Sequence, residues 1–212
     1  MSAALAFDLE LGREAGGAVA GVGVGIVQAN DDPDGLGRVR LKLPWRADNF
    51  VTDWARIAMP MGGKERGSYF LPEVGDEVLV GFDRDDIRFP YVLGSLWSAT
   101  DKPPESNSNK NNDIRLIKSR KGHILRFDDA AAKGVITIEL NDGKKIEIDD
   151  DGIRITDKQN SIEIASNSGE IAISATSKLS LKAPQIAIEA TASLELKGGP
   201  SLSASATQVR IN

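Results

Sequence analysis

The stretch Lys145-Ile146-Glu147-Ile148-Asp149-Asp150-Asp151-Gly152-Ile153-Arg154-Ile155-Thr156 places two pairs of isoleucines, each pair split by one charged residue, on either side of a turn. A period of two within a pair is the signature of a strand with one apolar face, and an acidic run ending in glycine is a turn. The motif recurs. Ile162/Ile164, Ile171/Ile173, Leu179/Leu181, Ile186/Ile188 and Leu194/Leu196 follow, then Leu202 alone and Val209/Ile211. First members lie 7, 9, 9, 8, 7, 8, 8 and 7 residues apart, so very short strands alternate with turns nine times over. Asn160-Ser161, Asn167-Ser168-Gly169, Pro184 and Gly198-Gly199-Pro200 fall between them, as turns require.

A strand with two inward aliphatics buries too little by itself. Each such side chain contributes about 1.5–3 kcal/mol, while ordering the backbone costs roughly 1–2 kcal/mol per residue. The repeats must therefore stack. Three chains wound about one axis, with one strand per chain in each layer, would bring the pairs into a narrow common core. A meander of hairpins is the alternative, at the cost of unpaired edges. The expected trimer core is Ile146, Ile148, Ile153, Ile155, Ile162, Ile164, Ile171, Ile173, Leu179, Leu181, Ile186, Ile188, Leu194 and Leu196.

Working outward, the rest of the chain is of another kind. Ten of the eleven aromatic residues lie between Phe7 and Trp97, leaving only Phe127 for the second half. Upstream, Val22, Val24 and Ile26 alternate with glycines, the turn Asn30-Asp31-Asp32-Pro33-Asp34-Gly35 follows, and Val39, Leu41 and Leu43 alternate with basic residues. Further strands are expected at 54–59, 77–82 and 91–94. Five or so short strands in about 80 residues predict a small barrel of the OB type. Residues 98–113 contain no apolar side chain larger than alanine and read as a linker. The expected organisation is an N-terminal arm at 1–18, an OB-fold domain at 19–97, the linker at 98–113 and a β-helical needle at 114–212.

Composition limits the chemistry. The 212 residues carry a formal charge of -5, and neither half has the basic surface that phosphate neutralisation requires. With no cysteine, neither a disulfide framework nor a thiolate metal site is available. No apolar run approaches the roughly eighteen residues that would cross a bilayer, and Met1 to Gly12 carries acids where a signal peptide would not. Synthesis in the cytoplasm is expected. The single histidine, His123, cannot assemble a triad or a metal site within one chain, and reads as a strand-end residue. Asp31, Asp32 and Asp34 superficially resemble a calcium loop but lack its spacing and terminal glutamate, so a turn is expected. Asp149 to Asp151 read as a solvated turn rather than a glycosidase pair. Trp45, Trp54, Tyr69 and Phe70 could stack bases, but the acidic balance argues against a nucleic-acid partner.

Gly25-Ile26-Val27, the run from Asn30 through Gly35-Leu36-Gly37-Arg38-Val39-Arg40, Pro44-Trp45 and Asp53-Trp54-Ala55-Arg56 resemble the VgrG and phage baseplate assembly protein V family. So do Ala58-Met59-Pro60-Met61-Gly62-Gly63, Phe70-Leu71-Pro72-Glu73-Val74-Gly75-Asp76-Glu77-Val78-Leu79-Val80 and Pro90-Tyr91-Val92-Leu93-Gly94-Ser95-Leu96-Trp97. Past the linker, Asn112-Asp113-Ile114-Arg115 and Lys118-Ser119-Arg120-Lys121-Gly122-His123 are similar to that family's entry into its β-helix. The resemblance implies an all-β protein, an OB-fold barrel followed by an intertwined trimeric triple-stranded β-helix. It implies a non-enzymatic central spike of a contractile tail or injection system, assembled into the particle's baseplate. Such a spike meets the target membrane only during piercing. Baseplate hub and tube proteins are implied partners, and the hub is either another polypeptide or lies outside this sequence. Some relatives bind iron through a C-terminal His-x-His pair, which Gln208-Val209-Arg210-Ile211-Asn212 lacks, so neither metal nor cofactor is expected. The resemblance instead implies a PAAR-type tip protein seated on Gln208, Val209, Arg210, Ile211 and Asn212. The competing reading is a trimeric carbohydrate-binding tailspike, which would need a cleft rich in acids and aromatics.

Overall fold

The computed structural model describes residues 21–46 and 50–210, so the expected arm at 1–18 and the tip residues Ile211 and Asn212 lie outside the described residues. The chain divides into two units, residues 1–106 and 107–212. Apart from a three-residue 3-10 turn at Asp83–Asp85, every regular element described is a strand. No described helix is long and apolar enough to cross a membrane.

In the first unit the strands are β1 (Val22–Ala29), β2 (Arg40–Lys42), β3 (Arg56–Ile57), a small hairpin of β4 (Gly62–Gly63) and β5 (Arg66–Gly67), β6 (Glu77–Phe82) and β7 (Pro90–Ser95). Their order is β2-β1-β6-β7-β3. The sheet closes because bridges Val39↔Ala55 and Lys42↔Val51 join the β2 edge to the segment that runs into β3. Closure leaves one interior, filled by Val27, Val39, Leu41, Leu43, Ala55, Val78, Val80, Ile87 and Val92. Val39, Leu41 and Leu43 are fully buried, as their alternation with basic residues predicts. Gly25 is needed at this wall, since a Cβ there would stand 2.9 Å from Val80 Cγ2. Val22 and Val24 fall on the opposite, outward face of β1.

One polar group inside the barrel has a specific task. Thr52 is almost fully buried; its hydroxyl accepts the Leu41 N–H at 3.1 Å and donates to the Asp53 carbonyl at 2.7 Å. It thus satisfies a backbone donor where the two ends of the sheet meet without a regular ladder.

The second unit holds β8 (Ile114–Lys118), β9 (Ile124–Asp128), β10 (Val135–Glu139), β11 (Lys145–Asp149), β12 (Gly152–Thr156), β13 (Ser161–Ala165) and β14 (Glu170–Ser174). Each strand is five residues long, and each pairs antiparallel with its neighbours in sequence, giving a seven-stranded sheet in the order β14 to β8. The expected layering, one strand per chain, is therefore not how residues 114–174 are arranged in this chain. The turns are short enough for each strand to find its partner in the next, which a two-residue turn such as Asp150-Asp151 enforces. From Ala175 to Arg210 the described chain forms no strand, although the aliphatic pairs continue.

Replacing Thr52 with Val should leave the Leu41 N–H without a partner and cost about 1–3 kcal/mol of barrel stability. Urea titration followed by tryptophan fluorescence reads this directly, and an unchanged midpoint would contradict the role given to the hydroxyl.

Candidate functional site

Strand alternation divides the β8–β14 sheet into two unlike faces. On one, Leu125, Ile138, Ile146, Ile155, Ile162 and Ile173 stand opposite one another in a cross-strand row. Beside it runs a second row of Phe127, Ile136, Ile148, Ile153, Ile164 and Ile171. The sequence pattern is thus converted by the hairpin registers into an uninterrupted apolar strip two residues wide. Cross-strand β-branched pairs of this kind favour the sheet, but they do not bury it. Ile155 is 42% exposed, Ile162 40% and Ile171 67%, so these side chains are not the core of a single chain. A groove lies along this face, lined by Ile138, Ile146, Ile155, Ile162 and Ile173 together with Leu179.

The rows begin earlier than the spacing of the repeats suggests. Leu125 and Phe127, Ile136 and Ile138, and Ile117 opposite Leu125 all belong to the same face. Their signal was available in the same split pairing, as in Val135-Ile136-Thr137-Ile138-Glu139. It breaks the period of about eight, because the β9–β10 and β10–β11 connections are longer.

The other face is charged over β11–β13, while Leu116, Ile124, Val135 and Thr137 stand on it in β8–β10. Glu147 faces Arg154 and Arg154 faces Glu163 across the ladder. The Arg154 guanidinium donates to Glu147 Oε1 at 2.6 Å and also pairs with Asp149, while Lys133 reaches Asp149 at 3.0 Å and pairs with Asp151. Lys145 pairs with Glu147. Asp149 is the centre of this network: its side chain is only 1% exposed, and it accepts the N–H groups of Asp151 at 2.9 Å and Gly152 at 3.1 Å. Gly152 must be glycine, since with φ at 153° a Cβ would lie 1.8 Å from the Ile164 carbonyl oxygen. Burial pushes the Asp149 carboxyl up, but Lys133, Arg154 and the two turn N–H groups outweigh it and hold it well below the usual carboxylate range. Over β11–β13 the charges of this face are paired with one another. The opposite face needs protein.

The remaining candidates resolve into local structure. His123 Nδ1 accepts the Asn141 N–H at 3.3 Å, and the backbone N–H of His123 is donated to Ser119 Oγ at 3.0 Å, placing it in the turn between β8 and β9. Asp32 spends its oxygens on the N–H groups of Asp34, Leu36 and Arg38 and on the Arg38 guanidinium at 2.7–2.8 Å. That arrangement builds a turn. Arg38 also holds Asp34 at 2.6 Å. Among the described residues no group of three or more His, Cys, Asp or Glu side chains is placed to hold a metal.

Of the expected core residues, Ile146 to Ile173 sit on the apolar face, whereas Leu179, Leu181, Ile186, Ile188, Leu194 and Leu196 are exposed on backbone without strand pairing. Gln208, Val209 and Arg210 are exposed too.

Comparison with known proteins supplies two matches that together span most of the chain. Residues 23–97 match the type VI secretion system/phage-baseplate injector OB domain, and residues 114–212 match the phage baseplate V C-terminal trimerisation domain. Among curated proteins the chain is 33% identical over 109 residues to the type VI secretion system spike protein VgrG2a of Pseudomonas aeruginosa, covering 47% of this chain and 13% of that one. It is 35% identical over 105 residues to spike protein VgrG5 of the same organism, covering 45% of this chain and 13% of the relative. To spike protein VgrG3 of Vibrio cholerae it is 28% identical over 113 residues, 50% of this chain and 11% of the relative. The chain thus spans little more than a tenth of the length of these relatives.

Replacing Asp149 with Asn tests the charged face. Because the carboxyl has a lower pKa in the folded sheet than in the unfolded chain, its contribution is present in full above the ordinary carboxylate value of about 4 and is lost as pH falls through the depressed folded value. The variant should melt below the parent at pH 7, and the gap should close progressively as the pH is taken below about 4. A gap that is the same at all pH values would contradict the ionic role of Asp149.

Proposed function

The chain belongs to the phage baseplate V family, joining its injector OB domain to its C-terminal trimerisation domain, and on that premise we propose that three copies form the central spike of a contractile tail or injection apparatus. The observation that carries this reading is the two-row apolar face of β8–β14, left open in a single chain behind a face whose charges over β11–β13 are paired with one another.

Elementary geometry supports the number three. A five-residue strand is about 17 Å long, and two facing sheets pack about 10 Å apart, so each sheet wants to lie about 5 Å from the plane or axis it shares. Three sheets arranged as a triangular prism with sides of about 17 Å place each face about 5 Å from the axis, which the isoleucine side chains fill. Four sheets of the same width would stand about 8.5 Å away and leave a channel. The single charged substitution in the strip, Arg115 opposite Phe127, lies at its first strand, where the prism opens.

Residues 175–210 extend the needle by a different route. Their aliphatic pairs recur every seven or eight residues on backbone that has no partner strand within the chain. Three chains exchanging single strands around the same axis satisfy both the backbone and the pairs. The product is an intertwined triple-stranded β-helix with no free lateral edge, which resists bending because no strand separates without breaking pairing to its neighbours. The mechanism is mechanical. Sheath contraction supplies the force, the OB domain joins the spike to the hub and tube proteins of the baseplate, and the needle transmits force into the target envelope. No turnover is required of it.

The aliphatic pairs continue through Val209 and Ile211, and an apolar core left open at the end of a needle favours association with whatever can cover it. A conical PAAR-type protein seated on Gln208, Val209, Arg210, Ile211 and Asn212 would cover it. The particle, rather than the free cytoplasm, is the site of action.

Placing an aspartate at Ile171 should prevent trimer assembly, since three carboxylates would meet near one axis without counter-charges, whereas aspartate at Glu163 on the charged face should be tolerated. A variant at Ile171 that still ran as a heat-resistant trimer on a gel would remove the apolar face from the interface. Deleting residues 201–212 should keep the trimer and abolish capture of the tip protein in a pull-down; retention of the cap at unchanged affinity would rule out the proposed seat.

A further inference from the structure

Among the apolar side chains that the described OB domain leaves uncovered, two groups differ in kind. The first is the outer face of the β1–β6–β7 sheet. Val24 pairs with Leu79 and Val22 with Gly81, placing them on the side away from the buried Val78 and Val80. Leu93 joins them, its Cδ1 3.2 Å from where a Gly81 side chain would begin. Val22 is 58% exposed and Leu93 47%. Opposite Leu79 lies Gly94, where an added Cβ would meet nothing within 4 Å, so the face contains an open notch.

The second surface is an aromatic knob. Tyr69 and Phe70 are 74% and 60% exposed, yet the loop that bears them is held in place. Ser68 N–H is donated to the Met61 carbonyl at 3.0 Å, Asn30 Nδ2 donates to the Pro72 carbonyl at 2.9 Å, and the Tyr69 ring rests against Gly37 in the β1–β2 connection. The knob therefore stands at the end of the barrel where β1 passes into β2, apart from the notched face. Exposed aromatics on a pre-ordered loop are the usual anchors of an interface, since little entropy is lost on docking.

We propose that in the trimer the OB domains close into a ring, the Tyr69–Phe70 knob of one protomer seating in the notched β1–β6–β7 face of the next. This rests on the trimeric reading above and goes beyond it, because the trimerisation match covers only residues 114–212. Three-fold symmetry demands a contact between two different patches, repeated head to tail until it closes, and each OB domain has one of each. Proximity is supplied by the chain itself: residues 98–113 tether each OB domain to the trimerised region over a span on the order of 20 Å, which puts the domains at millimolar effective concentration. A weak apolar contact is then enough to be occupied. The partner is a second copy of this chain.

The absence of cysteine makes the test clean. In the full chain, with trimeric mass first confirmed by light scattering, Val24→Cys and Phe70→Cys are introduced together and treated with a short bismaleimide. The proposal expects most chains in covalent trimers on a denaturing gel, with each single variant remaining monomeric. Adding Gly94→Glu, which the free OB fold accommodates in open space, should reduce the cross-link to background while the mass stays trimeric. A trimeric mass with no cross-link, with links only inside one chain, with links from a single variant alone, or with links indifferent to Gly94→Glu would overturn the ring. So would a Val24→Cys thiol that is shielded yet never linked, since some other segment or protein would then cover the face. A monomeric mass would instead bring down the trimeric reading itself, and the ring with it.

Discussion

An isoleucine strip two residues wide cannot be covered by the chain that makes it. Five-residue strands leave two inward positions each, and the hairpin registers of β8–β14 align those positions into rows that remain largely in water. Apolar surface of this extent and continuity is rare on a monomer. The charged face cannot take its place inside, because Glu147, Asp149, Arg154 and Lys133 are already paired with one another at the outer surface. The sheet therefore has a fixed inside and outside before any partner arrives. Everything proposed for the needle depends on that polarity.

The two units solve the burial problem in opposite ways. In the OB domain the sheet curls until its ends meet, and Thr52 satisfies the backbone at the seam, so nine apolar side chains among the described residues are enclosed within one chain. In the second unit the seven-stranded sheet stays open with its apolar rows uncovered, and enclosure waits for other copies. Aromatic residues concentrate before Trp97, yet among the described residues none is in the fully buried barrel core, against which Phe50 and Phe82 pack from its margin, and the apolar rows of the second unit hold one ring, Phe127. The division between the units orders assembly. Residues 114–174 can pair their backbone within the chain, while residues 175–210 depend on neighbours for theirs, so the first segment is suited to bring the chains together and the second to lock them.

Much of this was legible in the residues. Alternation of Val39, Leu41 and Leu43 with basic residues foretold a buried face, and the split isoleucine pairs foretold strands with one apolar side. Two features were less accessible. The earlier members of the apolar rows, Phe127 and Ile136 among them, were hidden by longer turns that disturb the period. The hairpin pairing of β8–β14 was hidden because a repeat of short strands fits equally well a chain that pairs with itself and chains that pair with each other. Only turn geometry distinguishes the two, through details such as Asp149 capping the Asp150-Asp151 turn and a glycine at 152 that no other residue can replace. The ionic network around Asp149 is likewise a product of register, not of sequence spacing, since Lys133 lies sixteen positions away.

The central claim is that three copies share one apolar axis, and the most direct measurement is the molar mass of the unmodified chain by light scattering across a wide dilution series. The account predicts about 68 kDa, three times the chain mass of 22.7 kDa, persisting to the lowest concentration measurable. A folded species at 22.7 kDa would contradict it, because the isoleucine face would then be stable in water.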